Sequence, residues 1–238
     1  MSPTGLVHPQ EIWFFTMFSR AIAPNWRPRD IGPLHVREGQ IAFDAEGKDY
    51  LTAVEPFKQP ESASMKYFSR ILYWPGRGSG VTLGRGYDMK NRTPGQILTE
   101  LRQAGIEEYK AVICSKASGL SEKNATDFVQ NYGPLVGEIT HIQQVRLFDI
   151  AYREKLEFAK GVYDRQSKHI KNHVTWSALD HKIRDVFVDT IYQGNQSAHE
   201  MVRIMAGKGT RSDIINYLNT DPFHGDDARD NIRKKYLK

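Results

Sequence analysis

The sequence predicts an α+β fold in which a small strand-bearing lobe precedes a larger helical lobe, with a cleft between the two. Three observations carry this expectation. Residues 34–49, "LHVREGQIAFDAEGKD", alternate apolar and polar positions about Glu38-Gly39, the pattern of a short hairpin. Residues 79–93, "SGVTLGRGYDMKNRT", alternate again through Gly84 and Gly86. Beyond Asn91 the apolar residues recur at helical spacing almost without a break.

Taken in order, residues 8–22 read as a short helix closed by "APNWRPRDIGP", whose three prolines mark a linker. Residues 1–33 are therefore an N-terminal helical extension and linker, and 34–238 the main domain, with 34–90 its β-bearing lobe and 91–238 its helical lobe. After the expected hairpin, "TAVEPFKQPESAS" is polar and proline-marked, an exposed insertion. Thr93-Pro94 offers a helix N-cap with proline at the first helical position, and the pattern ends at Gly105. "YKAVICSKAS" reads as a helix with Cys114 on its apolar side. "SEKNATDFVQNYG" opens on Ser121 and closes on Gly133. The longest pattern runs from Thr140 to Gln166, with Ile142, Val145, Phe148, Ile150, Tyr152 and Leu156 at helical spacing. Further helices are expected over 175–194, 197–207 and 209–218.

The chain has 238 residues, 39% of them hydrophobic and 26% charged, enough for a sizeable core. No apolar run approaches the roughly 18 residues a membrane span needs, so no membrane insertion is expected. "MSPTGLVHPQE" lacks the positive n-region and cleavage site of a secretory signal. One cysteine excludes an intrachain disulfide and a cysteine-based zinc site. His169 and His173 stand four apart in "HIKNH", without the glutamate of a zincin, and His141 and His181 add no ligand spacing, so no metal is expected. The net charge of +5 and pI of about 9.2 favour a polyanionic partner, for which nucleic acid, anionic membrane and acidic wall polymer all qualify.

The chemistry concentrates in 79–93. Thr82 and Asp88 share one parity, but in a straight strand they lie about 20 Å apart at roughly 3.3 Å per residue. Gly84 and Gly86 permit the tight bending that brings them together. A carboxylate beside a hydroxyl can hold and activate water, half of an inverting glycosidase. The other half is a protonated acid, for which Glu46, Glu55 and Glu61 are available. Glu46 follows alternating apolar residues and precedes Gly47, a setting in which partial burial raises a carboxyl pKa. Glu55 and Glu61 lie in the polar insertion. The glycines do not form a phosphate cradle, since there is no GK[ST] ending and no G-x-G-x-x-G register. Arg85 either binds an anionic or amide substituent or braces the hairpin. Tyr73 and Trp74 either stack on a sugar ring or pack in the core.

"SGVTLGRGYDMKNRT", preceded by "YFSRILYWPG" and by "FDAEG", resembles the pesticin-like branch of the phage-type lysozymes. There a Glu-Gly pair, an S-G-V-T segment and a following G-Y/F-D supply the catalytic glutamate, threonine and aspartate. The likeness spans residues 34 to about 220. It implies a lysozyme-like fold and a muramidase that cleaves the β-1,4 bond between N-acetylmuramic acid and N-acetylglucosamine, with no cofactor. Glu46 would protonate the leaving oxygen, Asp88 act as base and Thr82 position the water. Tyr50 to about Pro60 are extra relative to the pattern, which keeps Glu61 as the alternative acid. On the likeness alone, Tyr192 and Gln193 line the cleft. Together with the missing secretory signal, the resemblance implies an antibacterial toxin or effector, made in the cytoplasm and acting in the periplasm or wall of a target bacterium. Its partners would be peptidoglycan strands, a delivery machinery and an immunity inhibitor, and not nucleic acid. The rivals are a non-catalytic peptidoglycan-binding module and a basic nucleic-acid-binding protein.

Overall fold

A computed structural model describes residues 34–47, 68–76, 78–194, 198–220 and 227–238. The expected N-terminal helix and linker, the insertion after Tyr50, and Glu55 and Glu61 lie outside the described residues. Among the described residues there are nine helices, a 3₁₀ turn and one two-stranded antiparallel sheet, so the fold is α+β and mainly helical. The helices are α1 (Gln40–Ala45), α2 (Pro94–Gln103), α3 (Glu108–Ser115), α4 (Glu122–Val136), α5 (His141–Ser167), α6 (His181–Tyr192), α7 (His199–Ala206), α8 (Arg211–Thr220) and α9 (Asp227–Leu237). Strands β1 (Thr82–Leu83) and β2 (Tyr87–Asp88) precede α2. His35–Lys238 form one unit; of the Met1–Leu34 unit only Leu34 is described.

The hairpin expected over 34–49 is a helix. Gly39, the residue at the helix N-cap, takes a left-handed conformation (φ 73°) that glycine allows, and Gln40 Nε2 donates to Asp44 Oδ1 at 2.8 Å, one turn on. Ile41, Phe43 and Ala45 are buried, but so is Ala42, which fills a position that alternation assigned to solvent. Two other boundaries move. Helix α4 runs past Gly133 and carries Pro134 within its last turn, where the missing N–H forfeits one bond while Val136 reaches the core. The helix expected over 175–194 is split. Trp176–Ala178 form the 3₁₀ turn, and Asp180 caps α6 by accepting from the Lys182 and Ile183 N–H groups.

Helix α5 organises the rest. Thr140 and Gln143 close a capping box at its start, and its 27 residues extend about 40 Å at ~1.5 Å each. It touches α2, β2, α6 and α7. Its first half shares a core with the hairpin and with α2–α4, including Leu83, Tyr87, Ile97, Phe128 and Leu147. Phe148 and Tyr152 continue into an aromatic group with Phe43 of α1 and Tyr192 of α6, with ring centroids 5.0 Å apart for Phe43–Phe148 and 6.2 Å for Tyr152–Tyr192. Helix α9, absent from the sequence expectation, packs on α1, α6 and α8. Cys114 is buried in the core as expected, and burial pushes its thiol up to about 12.

Candidate active site

A hairpin closes the distance between Thr82 and Asp88. Residues 84–86 turn the chain, with φ of 64° at Gly84 and 86° at Gly86, so that Thr82 pairs with Asp88 and Leu83 with Tyr87. Partners directly across an antiparallel pair present their side chains on one face. Leu83 and Tyr87 are fully buried in the core, which leaves Thr82 and Asp88 together on the other face. Tyr73 pairs with the far edge of β1, exchanging backbone bonds with Thr82 at 3.0 and 2.8 Å. Tyr73, Thr82 and Asp88 therefore form one row across three short segments.

Each member of the row is tied down. Both Asp88 oxygens accept from the Gly80 N–H (3.2 and 3.1 Å), and Oδ1 also accepts from the Lys90 N–H at 2.8 Å. Only glycine fits at position 80, since a Cβ there would stand 2.7 Å from Asp88 Oδ1 and 2.8 Å from the Leu120 carbonyl oxygen. Thr82 Oγ1 donates to the Gly80 carbonyl at 3.2 Å. The Tyr73 hydroxyl donates to the Gly84 carbonyl at 3.2 Å. Burial raises the pKa of that hydroxyl well above the ordinary phenol value, and the negative charge of Glu46, then that of Asp88, adds to the rise. Both carboxylates thus act on one phenol. Behind Asp88, Arg92 donates Nε to its carbonyl at 3.1 Å, lies 4.4 Å over the Tyr87 ring, and pairs with Glu100 and Glu154.

Glu46 follows α1 directly. The apolar surround expected for it is corrected, because Arg229 of α9 places Nη1 2.7 Å from Glu46 Oε1. Arg229 is buried, and its other arm pairs with Asp189 of α6, which also accepts from Arg233 Nε at 2.7 Å. Burial opposes the Arg229 charge, but Asp189 and Glu46 outweigh it and hold its pKa above the usual guanidinium value.

Arg85, at the hairpin tip, is 1% exposed and donates Nη1 to the Phe43 and Gly47 carbonyls at 2.6 and 2.7 Å, the geometry of a brace. Tyr192 joins it, its hydroxyl donating to the Arg85 carbonyl at 2.8 Å. A Cβ on Gly86 would meet the Tyr192 ring at 2.7 Å. Gln193 is exposed and accepts from Arg233 Nη2 at 2.7 Å. Trp74 packs partly buried against the core, with Nε1 donating to the Ser79 carbonyl at 3.0 Å. Arg92, Asp189, Arg229 and Arg233 were not anticipated. The signal for the α9 pair is present in "RDNIR", two arginines one helical turn apart.

A shallow cavity of about 450 Å³ lies away from this row, between α7 and α8, lined by residues such as Arg203, Gly209 and Tyr217. Among the described residues no group of three His, Cys, Asp or Glu side chains gathers as a metal site, and no helix is long and apolar enough to cross a membrane. No curated protein matches the sequence. A family model does match, over residues 39–221, which takes in Glu46, Thr82, Asp88 and the helices through α8. The chain belongs to that family, described as a domain of unknown function (DUF8812).

Proposed function

We propose that the protein is a peptidoglycan hydrolase with a lysozyme-like fold, cleaving the β-1,4 bond between N-acetylmuramic acid and N-acetylglucosamine and serving as an antibacterial toxin or effector. The observation that carries this reading is the pairing of Thr82 with Asp88 on the face of the hairpin opposite the core residues Leu83 and Tyr87. A water between them can give one hydrogen to the carboxylate and one to the threonine oxygen. Thr82 suits this because its own proton is committed to the Gly80 carbonyl, leaving lone pairs to accept. The water lone pair is then turned toward the sugar carbon as Asp88 takes the proton. Glu46 supplies the proton to the leaving oxygen. The net charge of +5 favours an anionic wall polymer.

Turnover on purified peptidoglycan, followed by release of reducing ends, tests this. Asp88→Asn and Glu46→Gln are each expected to lower it by about 10²-fold or more while folding is kept. The inverting route calls for carboxyl groups roughly 6.5 to 9.5 Å apart and a product of inverted anomeric configuration. A folded Asp88→Asn protein with near wild-type turnover sinks the assignment. One observation favours a second reading, a peptidoglycan-binding module without turnover: the Glu46 carboxyl, which would have to protonate the leaving oxygen, is engaged in an ion pair with the buried Arg229. Sedimentation with peptidoglycan but no reducing ends from the wild type would select it.

A further inference from the structure

We infer that Arg85 is a positioning residue, which sets the distance between Glu46 and the Thr82–Asp88 pair. The inference rests on the hydrolase reading and concerns how its two halves are held together.

Glu46 and the hairpin belong to separate segments, and Arg85 joins them. Its backbone lies in the 84–86 turn, between the two strands that carry Thr82 and Asp88. Its guanidinium grips the Phe43 and Gly47 carbonyls, which flank Glu46 on either side. Helix α1 is only six residues long, and the last carbonyls of any helix lack intrahelical partners. The bond from the Glu46 N–H back to Phe43 is long, 3.4 Å, so the helix end is held weakly from within. A cation at a helix C-terminus is also favoured by the peptide dipoles. The Arg85 guanidinium carbon sits 4.4 Å from the Phe43 ring centroid, which fixes the plane of the group.

The other end of the link is equally fixed. Tyr192 Oη donates to the Arg85 carbonyl and its ring closes on Gly86, so the turn cannot move without disturbing α6. Displacing Arg85 frees the α1 end to shift against the hairpin. Misplacing a catalytic group by 1 Å costs on the order of 10²-fold in rate. Lysine cannot reproduce the planar guanidinium.

The test compares wild type, Arg85→Lys and Arg85→Met as full chains. We expect kcat on soluble glycan fragments to fall about 10-fold for Arg85→Lys and about 10²-fold for Arg85→Met, with KM within threefold in both. Hydrogen exchange should quicken over 40–47 and stay unchanged over α2–α4. Arg85→Met with kcat within threefold of wild type overturns the inference. So does exchange that quickens throughout the chain in both variants, which marks a general packing role. A wild type without turnover removes the hydrolase reading instead. The clasp would then stand or fall on exchange over 40–47 alone.

Discussion

A carboxylate that water does not reach stays charged only where cations replace the solvent, and Asp189 has two. It is fully buried, and Arg229 and Arg233 both bond it. Burial alone would raise its pKa, but the two guanidiniums outweigh that and hold it below the usual carboxylate range. The folded pKa is therefore lower than the unfolded one, so the group contributes stability above the unfolded value of about 3.9, lost as pH falls through the folded value. Unfolding free energy measured in urea should accordingly drop from about pH 4 downward. Asp189→Asn removes this dependence and leaves two buried cations short of charge, at a cost of about 3 to 5 kcal/mol at neutral pH. A urea midpoint unchanged by Asp189→Asn would show that the network carries no stability. Thr82 and Asp88 were legible at this scale, because shared parity survives folding into a hairpin. The approach of Arg229 to Glu46 was not. An ion pair between distant segments leaves no local spacing to read.

Elements were legible where their ends carry a chemical signature. Thr93-Pro94 and Thr140 both start helices, and both threonines complete capping boxes, with Gln96 and Gln143. Thr140→Ala should cost about 1 kcal/mol, lowering the calorimetric Tm by roughly 2 to 4 °C for a chain of this size. No change in Tm would mean that packing alone starts α5. The buried stripe of α5 runs through Gln144, Leu147, Phe148, Ala151, Tyr152 and Ala159, while Ile142, expected within it, is 43% exposed. Hydrophobicity named the helix but only part of its face, since Val145, Ile150 and Leu156 are half-buried and only Phe148 and Tyr152 of the expected residues are fully buried. Helix α1 was misread because five or six residues are too few to separate a period of 2 from one of 3.6 when alanine fills the gaps. Helix α9 was missed because its polar, basic sequence carries no apolar stripe. Its buried residues are Arg229, Asp230 and Arg233, with Leu237 at its end.

At the scale of the molecule, the expected α+β class holds, but a helix, α1, comes first and the strand content among the described residues is a single hairpin of four paired residues. The rest of the site's support is helical, and part of it arrives late in the sequence. The family match ends at residue 221, before α9, yet α9 supplies the cation at Glu46. That contact has a consequence in time. Helix pairs such as α2 with α3 are neighbours in sequence and close small loops, whereas Glu46 meets Arg229 only after nearly the whole domain has been gathered. Contacts of long sequence separation form late, since the entropy of closing the loop is spent before the contact repays it. We therefore expect the site to be assembled last on refolding and undone first on unfolding. In stopped-flow refolding, far-ultraviolet ellipticity should recover before the proposed hydrolytic activity, and the lag should vanish if α9 docks early. A chain caught between those two moments is helical but still lacks the Glu46–Arg229 contact.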